Sequence, residues 1–202
     1  MKSTIPVMSL QRLPVYLNYL KTLSNQEFIS SGAIARALNM GEVLVRKDLA
    51  FTSAQGRTRV GYKTGELIAA LEEYLGCNEI KNAVIFGAGG LGSALLSYGG
   101  FGNYGINIAA AFDNNPKKTG LTVGGKLVLP VEDAAAFVGE HDVKLAVICV
   151  PAKVAQSVAD VLVGCNVKSI LNFAPAQLSV PEGYNVRNID VAANLAILSS
   201  LI

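Results

Sequence analysis

Apolar positions along the chain follow two different periods. In the first third they recur at helical spacing: Leu13, Leu17, Leu20 and Leu23 form a stripe that predicts an amphipathic helix over residues 9–23. Pro14 belongs in or near the first turn of that helix, where its missing N–H costs least. Ser30 or Ser31 then caps a second short helix with Ile34, Ala35 and Leu38 on one face. Residues 39–41, Asn-Met-Gly, read as a turn. A third helix follows over residues 42–51, burying Val43 and Leu44 together with Leu49. Two short helices joined by a Gly-containing turn form the pattern of a helix-turn-helix, whose second helix turns its polar face outward. Here that face carries Arg46 and Lys47. Residues 55–62, Gln-Gly-Arg-Thr-Arg-Val-Gly-Tyr, suit a tight β-hairpin with the basic tips Arg57 and Arg59, a wing. A helix over residues 65–75 leads to Gly76-Cys77-Asn78, a domain boundary.

Beyond residue 78 the period changes. Continuous apolar runs of strand length stand at residues 83–86, 106–112, 126–129, 145–150, 169–173 and 186–189, with helical stretches at 90–99, 131–139 and 152–164. This alternation predicts an α/β domain with a mostly parallel sheet covered on both faces.

Composition narrows the class. Of 202 residues, 51% are hydrophobic and 16% charged, which excludes wholesale disorder. The longest apolar runs, such as residues 145–152, fall far short of the roughly 20 residues that span a bilayer. The N-terminus shows no apolar leader segment, and the three cysteines form no close pair, so the reading is of reduced thiols in a cytoplasmic protein. The single histidine excludes a His-rich metal centre; no metal site is expected. Net charge is +2, and it lies unevenly: residues 44–63 hold five basic side chains and one acid, a footprint for phosphate. The competing reading is a helical domain whose basic residues only confer solubility.

The first strand of the second half runs into Gly87-Ala88-Gly89-Gly90-Leu91-Gly92, and a helix follows. This is G-x-G-x-x-G in its required strand–turn–helix setting. Gly87 permits the sharp turn, Gly89 lets backbone approach a pyrophosphate, and Gly92 lets helix pack on strand. Asp113, 21 residues after Gly92, closes the second strand. A carboxylate there accepts from ribose hydroxyls and repels a 2′-phosphate, which favours NAD(H) over NADP(H). Lys117 and Lys118 just beyond weaken that exclusion slightly. The alternative is a Rossmann-like fold that binds nothing or another nucleotide.

An oxidoreductase would need a positioned acid. His141 falls in a polar turn away from the carboxyl ends of the strands, no Tyr-x-x-x-Lys occurs, and the apolar neighbours of Cys149 make it inert. The later strand ends offer Val150-Pro151 and Asn172-Phe173-Ala174-Pro175, groups suited to holding a nicotinamide ring but not to acid–base work. At the end of the chain Asp190 can cap a helix, and residues 191–202 carry no charge. A helix apolar on most sides needs burial, which a second subunit supplies most economically; a homodimer is expected.

These residues resemble the bacterial redox-sensing repressors called Rex over nearly the whole chain. The resemblance rests on Arg12-Leu13-Pro14-x-Tyr16, Ile29-Ser30-Ser31, Val45-Arg46-Lys47-Asp48-Leu49, Val60-Gly61-Tyr62, the glycine loop, Ala110-Ala111-Phe112-Asp113, Val150-Pro151-Ala152 and Leu171-Asn172-Phe173-Ala174-Pro175. It implies a winged helix-turn-helix domain (1–78), a Rossmann domain (79–189) and a C-terminal helix (190–202) swapped onto the partner of a homodimer. It also implies an NADH/NAD⁺-responsive repressor that binds inverted-repeat operator DNA and is released when NADH rises relative to NAD⁺. By the same resemblance Ser31, Arg46, Lys47, Arg57 and Arg59 face DNA, while Arg12, Tyr98 and Asp190 couple the domains. The sequence departs from the family at Gly90, where Asn is usual, at Arg59, where glycine is common, and over residues 51–55, Phe-Thr-Ser-Ala-Gln, which are mostly small and polar where aromatic and glycine residues are usual. Two other classes compete with this reading: a small NAD-dependent oxidoreductase with a helical oligomerisation domain, and a nucleotide-binding module whose N-terminal domain binds protein.

Overall fold

A computed structural model describes residues 5–23 and 26–202, in two compact units, Met1–Glu79 and Ile80–Ile202. The expectation of no leader rests partly on residues 1–4, which lie outside the described residues. Among the described residues no helix is long and apolar enough to cross a membrane.

In the first unit, helix α1 (Val7–Lys21) buries Leu13, Tyr16, Leu17 and Leu20. It begins before the apolar stripe does, so Pro14 stands mid-helix and not in the first turn. The hydrogen bond that Pro14 cannot donate costs up to about 3 kcal/mol. Burial of the apolar side chains, at roughly 1.5–3 kcal/mol each, offsets it. A short strand β1 (Phe28–Ile29) precedes α2 (Ser31–Ala37). The N-cap of α2 is Ser30, whose hydroxyl accepts the Ala33 N–H at 3.1 Å. Asn39, at a left-handed φ of 53°, turns the chain toward α3 (Glu42–Leu49).

Helix α3 buries Leu49 as expected, but with Val45 and Asp48 beside it, and it leaves Val43 and Leu44 exposed, against expectation. The apolar pattern treats Asp48 as a solvent residue. Arg12 and Tyr16 of α1 instead draw its carboxylate inward, and this places Val45 and Leu49 beside it in the interior. The expected hairpin over residues 55–62 is reduced to one bridge, Arg57 to Gly61, closing a turn over residues 58–60. The strand after it, β2 (Tyr62–Lys63), pairs antiparallel with β1. Helix α4 (Thr64–Leu75) follows, burying Leu67, Ala70 and Leu71.

The second unit alternates β3 (Lys81–Phe86), α5 (Gly90–Leu96), β4 (Ile106–Asp113), β5 (Thr122–Val123), β6 (Lys126–Pro130), α6 (Ala134–Glu140), β7 (Val143–Ile148), α7 (Ala152–Gly164), β8 (Ser169–Asn172) and β9 (Asn185–Asn188). The sheet order is β5-β6-β4-β3-β7-β8-β9, parallel throughout except for the β5–β6 edge. From β3 the chain builds outward through β4 and β6, then returns to the other flank of β3 with β7. That reversal is the switch point of a doubly wound sheet, where a crevice opens at the carboxyl ends of the strands. Helices α6 and α7 cover one face over Phe86, Phe112, Ile148 and Ile170. On the other face α5 covers Ile85, Ala111 and Val128 through Leu96. Beyond α5 that face is covered only in part, with Ala83, Ile108 and Val147 still buried, so the second face is less covered than the expectation of two covered faces. The connection from β8 to β9, residues 173–184, forms no helix to lay there, and an apolar groove of about 290 Å³ lined by Ile108, Leu145, Leu171 and Val186 remains. The last helix, α8 (Val191–Ser199), is exposed along its whole length in the single chain.

Candidate functional site

At the switch point a cleft of about 710 Å³ opens between the ends of β3, β4 and β7. Gly87 ends β3 at φ 97°, and a Cβ there would lie 2.7 Å from the Cys149 carbonyl oxygen. A Cβ on Gly92 would run into the Gly87 carbonyl oxygen, so the helix after the turn packs on the strand only through glycine. At Gly89 and Gly90 the opposite holds: an added Cβ meets no protein atom within 4 Å. Gly89 lines the cleft, so its bare backbone leaves free the space that a side chain would take. This is the cradle a pyrophosphate requires, and the loop fits a dinucleotide in that respect.

Asp113 is only 6% exposed and is already well engaged. Its Oδ2 accepts the Ala88 N–H at 2.8 Å and the Lys118 ammonium at 3.0 Å, and its Oδ1 accepts the Asn115 N–H at 2.9 Å. Burial pushes this carboxyl up, but the bonds from Asn115, Lys118 and Ala88 more than offset it and hold it below the usual carboxylate range. Burial alone pushes the Cys149 thiol, another lining group, up to about 11. That leaves it protonated and unreactive at neutral pH.

Of the cofactor residues expected from sequence, Gly87, Gly89, Asp113, Val150 and Pro151 line this cleft. Ala88, Gly90, Leu91 and Gly92 belong to the same loop and the first turn of α5 without lining it. Asn172, Phe173 and Pro175 lie at the end of β8, one strand beyond, and are not in the lining. Asn172 is 1% exposed and holds its own loop: its Nδ2 donates to the Ala174 and Ala176 carbonyls, and its Oδ1 accepts the Ala174 N–H. Sequence reading missed Val131 and Glu132, which follow β6, and Lys153 and Val154 in the first turn of α7. Their signal was available, since each follows the carboxyl end of a parallel strand.

In the first unit Arg46 and Lys47 are exposed on α3. The helix is clamped to α1 from behind: Arg12 Nε and Nη2 donate to the two carboxylate oxygens of Asp48 at 2.6 and 2.8 Å, and the Tyr16 hydroxyl donates to Oδ2 at 2.7 Å. Burial, with the neighbouring carboxylate, pushes the Tyr16 phenol up to about 12. Arg57 is exposed with its guanidinium 6.0 Å from the Phe28 ring centroid, and Arg59 is exposed at φ 66° on the tip of the turn. Ser31 is half-buried and its hydroxyl reaches Glu42 at 3.4 Å. The expected coupling residues each have a partner within their own unit: Arg12 has Asp48, Tyr98 stands edge-on to Phe101, and Asp190 caps α8 by accepting the Ala193 N–H at 2.8 Å.

Comparisons with known proteins find relatives for both units. A family model described as the N-terminus of putative DNA-binding proteins matches residues 4–50, and one described as a CoA binding domain matches residues 78–176. A protein from Desulforamulus reducens named redox-sensing transcriptional repressor Rex is 39% identical over 197 residues, 96% of this chain and 94% of that protein. The Rex-family repressor RSP, solved with β-NAD⁺ and operator DNA, is 31% identical with a TM-score of 0.93, over 99% of this chain and 93% of that one. Its complex with β-NADH aligns at a TM-score of 0.88, again at 31% identity, over 99% of this chain and 95% of that one.

Proposed function

The chain belongs to the Rex family of redox-sensing transcriptional repressors, and from that premise we propose that it acts as a cytoplasmic homodimer through the two sites described above. It binds operator DNA, NADH releases it, and it is a regulator and not an enzyme.

What carries the assignment of the cleft is the bare backbone at Gly89, in a crevice at the switch point of the sheet. The loop from Gly87 through Ala88, Gly89, Gly90 and Leu91 to Gly92 holds the pyrophosphate. Asp113 has about one acceptor position left for the adenosine ribose, since a carboxylate offers about four. Bound dinucleotide supplies a nicotinamide ring that is charged when oxidised and neutral when reduced. Val150 and Pro151, with Phe173 and Pro175 positioned by Asn172, form apolar surroundings that disfavour the charged ring.

On the DNA side Arg46 meets base edges and Lys47 meets phosphate, and Ser31, Arg57 and Arg59 add backbone contacts. Residues 191–202 pack on a second copy, because an uncharged, fully exposed helix has no other burial. Arg12, Tyr98 and Asp190 relay the change between the domains. Fluorescence anisotropy of an inverted-repeat operator library, with and without NADH, tests the whole reading. Salt-sensitive retention that NADH abolishes is the expected result. Binding of NADH with no retention of any operator would leave only a nucleotide-binding module.

A further inference from the structure

Val43 and Leu44 are the large apolar side chains that α2 and α3 leave in solvent, at 55% and 40% exposure. Periodicity predicts both in the core; the pair of Arg12 with Asp48 turns the helix so that they face outward. Single apolar residues on a surface are ordinary. These two are adjacent, and they stand in the first turn of a helix whose next turn carries Arg46 and Lys47. Side chains three and four residues apart are neighbours on a helix. Val43 therefore adjoins both Arg46 and Lys47, and Leu44 adjoins Lys47. Among the described residues neither cation has a hydrogen bond or ion pair through its side chain. Glu42, the acid of the same turn, lies back over α2: its Oε1 is 3.4 Å from the Ser31 hydroxyl, and a Cβ on Gly32 would meet its Oε2 at 3.0 Å.

What remains on the outer face is an apolar spot bordered by two free cations. A protein surface covering it would have to desolvate both charges. B-DNA meets them with phosphate and base acceptors, and its major groove also offers an apolar group, the 5-methyl of thymine. The N-terminal residues of a recognition helix are the ones that reach base edges. Resting on the reading of α3 as the DNA-recognition helix, we propose that Val43 and Leu44 are specificity-determining residues that read thymine through its 5-methyl group. Each operator half-site then carries thymine where the first turn of α3 meets the major groove. Val43, the more exposed of the two, reads the principal methyl, and Leu44 on its flank reads a neighbouring one. Arg46 and Lys47 supply attachment and hydrogen bonds; the apolar pair supplies the choice of thymine over cytosine, which presents no methyl.

The test uses the full-length protein and a duplex operator selected from an inverted-repeat library, resynthesised with its thymines replaced one at a time by deoxyuridine. Deoxyuridine keeps the pairing and the O4 acceptor and lacks only the methyl. Fluorescence anisotropy at fixed salt should show weaker binding at one or two thymines of each half-site, by about fourfold per methyl, the effect of burying one carbon group. Val43→Ser or Leu44→Ser should abolish the sensitivity at its own thymine and leave the salt slope unchanged, since neither alters a charge. Wild-type binding indifferent to every deoxyuridine replacement would overturn the inference and leave α3 standing as the recognition helix. So would methyl sensitivity that is equal in the wild type and both serine variants. Serine variants that lose dimerisation would assign the pair to a protein contact and overturn the inference as well. Retention of no operator at all would overturn the reading of α3 itself.

Discussion

Arg12 and Asp48, 36 residues apart, form a two-pronged ion pair with Asp48 only 1% exposed, and this pair orients the helix that carries Arg46 and Lys47. Arg12→Ala leaves the buried carboxylate to the hydroxyls of Tyr16 and Ser9, so the loss should fall toward the low end of about 3–5 kcal/mol. Denaturant unfolding followed by circular dichroism measures it.

The same pair predicts a pH dependence. Burial raises the Asp48 carboxyl, but the bonds from Arg12 and Tyr16 outweigh it, and the net shift is downward. A group depressed in the folded state stabilises above its unfolded value, about 3.9, and loses that contribution as pH falls through the folded value. The gap in melting temperature between wild type and Asp48→Asn should therefore be widest near neutral pH and shrink on acidification. A gap that does not change with pH would show that the charge of Asp48 contributes nothing.

How far the fold was legible follows from the same residues. The strands at 83–86, 106–112 and 145–150 stand out because strands buried on both sides have no polar partners to interrupt them. The glycine loop is equally plain, since each glycine answers a local steric demand. The rotation of α3 was not legible, because it depends on Asp48 meeting residues of α1 far away in sequence. The engagement of Asp113 was hidden for a similar reason: its donors include Ala88, 25 residues earlier, and a lysine folded back by a turn. Periodicity reports which side chains are apolar; it cannot report that an acid has found its cation.

Arg46→Ala should weaken operator binding by about 1–3 kcal/mol per half-site and leave NADH binding unchanged, if Arg46 reaches a base edge. Lys47→Ala should weaken all sequences alike and reduce the salt slope by about one. Both residues are exposed on α3, and among the described residues neither side chain has a hydrogen bond or ion pair, so stability should change little. Operator titrations at several salt concentrations separate the two roles, and an Arg46→Ala protein with wild-type affinity would take that residue out of the interface.

Removal of residues 191–202 should yield monomers or aggregates. Every residue of that segment is exposed in the single chain and none is charged. Dimeric DNA readers place two recognition helices about one helical turn apart, which a monomer cannot do. Analytical ultracentrifugation and operator binding should therefore fail together; a truncated protein that remains dimeric and bound would place the dimer contact elsewhere.

Gly89→Val should give a folded repressor that no longer responds to NADH. Gly89 has φ −77° and ψ −166°, extended backbone open to any residue, and its Cβ would meet no protein atom within 4 Å. The valine therefore costs the fold little and fills the cradle of the cleft. Gly92→Ala is the contrasting change: its Cβ enters the Gly87 carbonyl oxygen, so it should destabilise the unit before any ligand is added. Asp113→Ala lies between them. It removes an acceptor from the ribose and also releases the Ala88 N–H and Lys118, so it should raise the NADH concentration needed for release while DNA affinity without cofactor stays nearly constant. The demand on the ligand is large. Turning a repressor from nearly all DNA-competent to nearly all released requires roughly 10⁴-fold preference for one state, about 5.5 kcal/mol, which two sites in a dimer can share. A mutation that removes even part of the binding at both sites should therefore shift the release curve strongly. Operator anisotropy across an NADH titration, with NAD⁺ as control, reads the shift. Equal release of wild type and Gly89→Val would mean that the sensor site is not this loop.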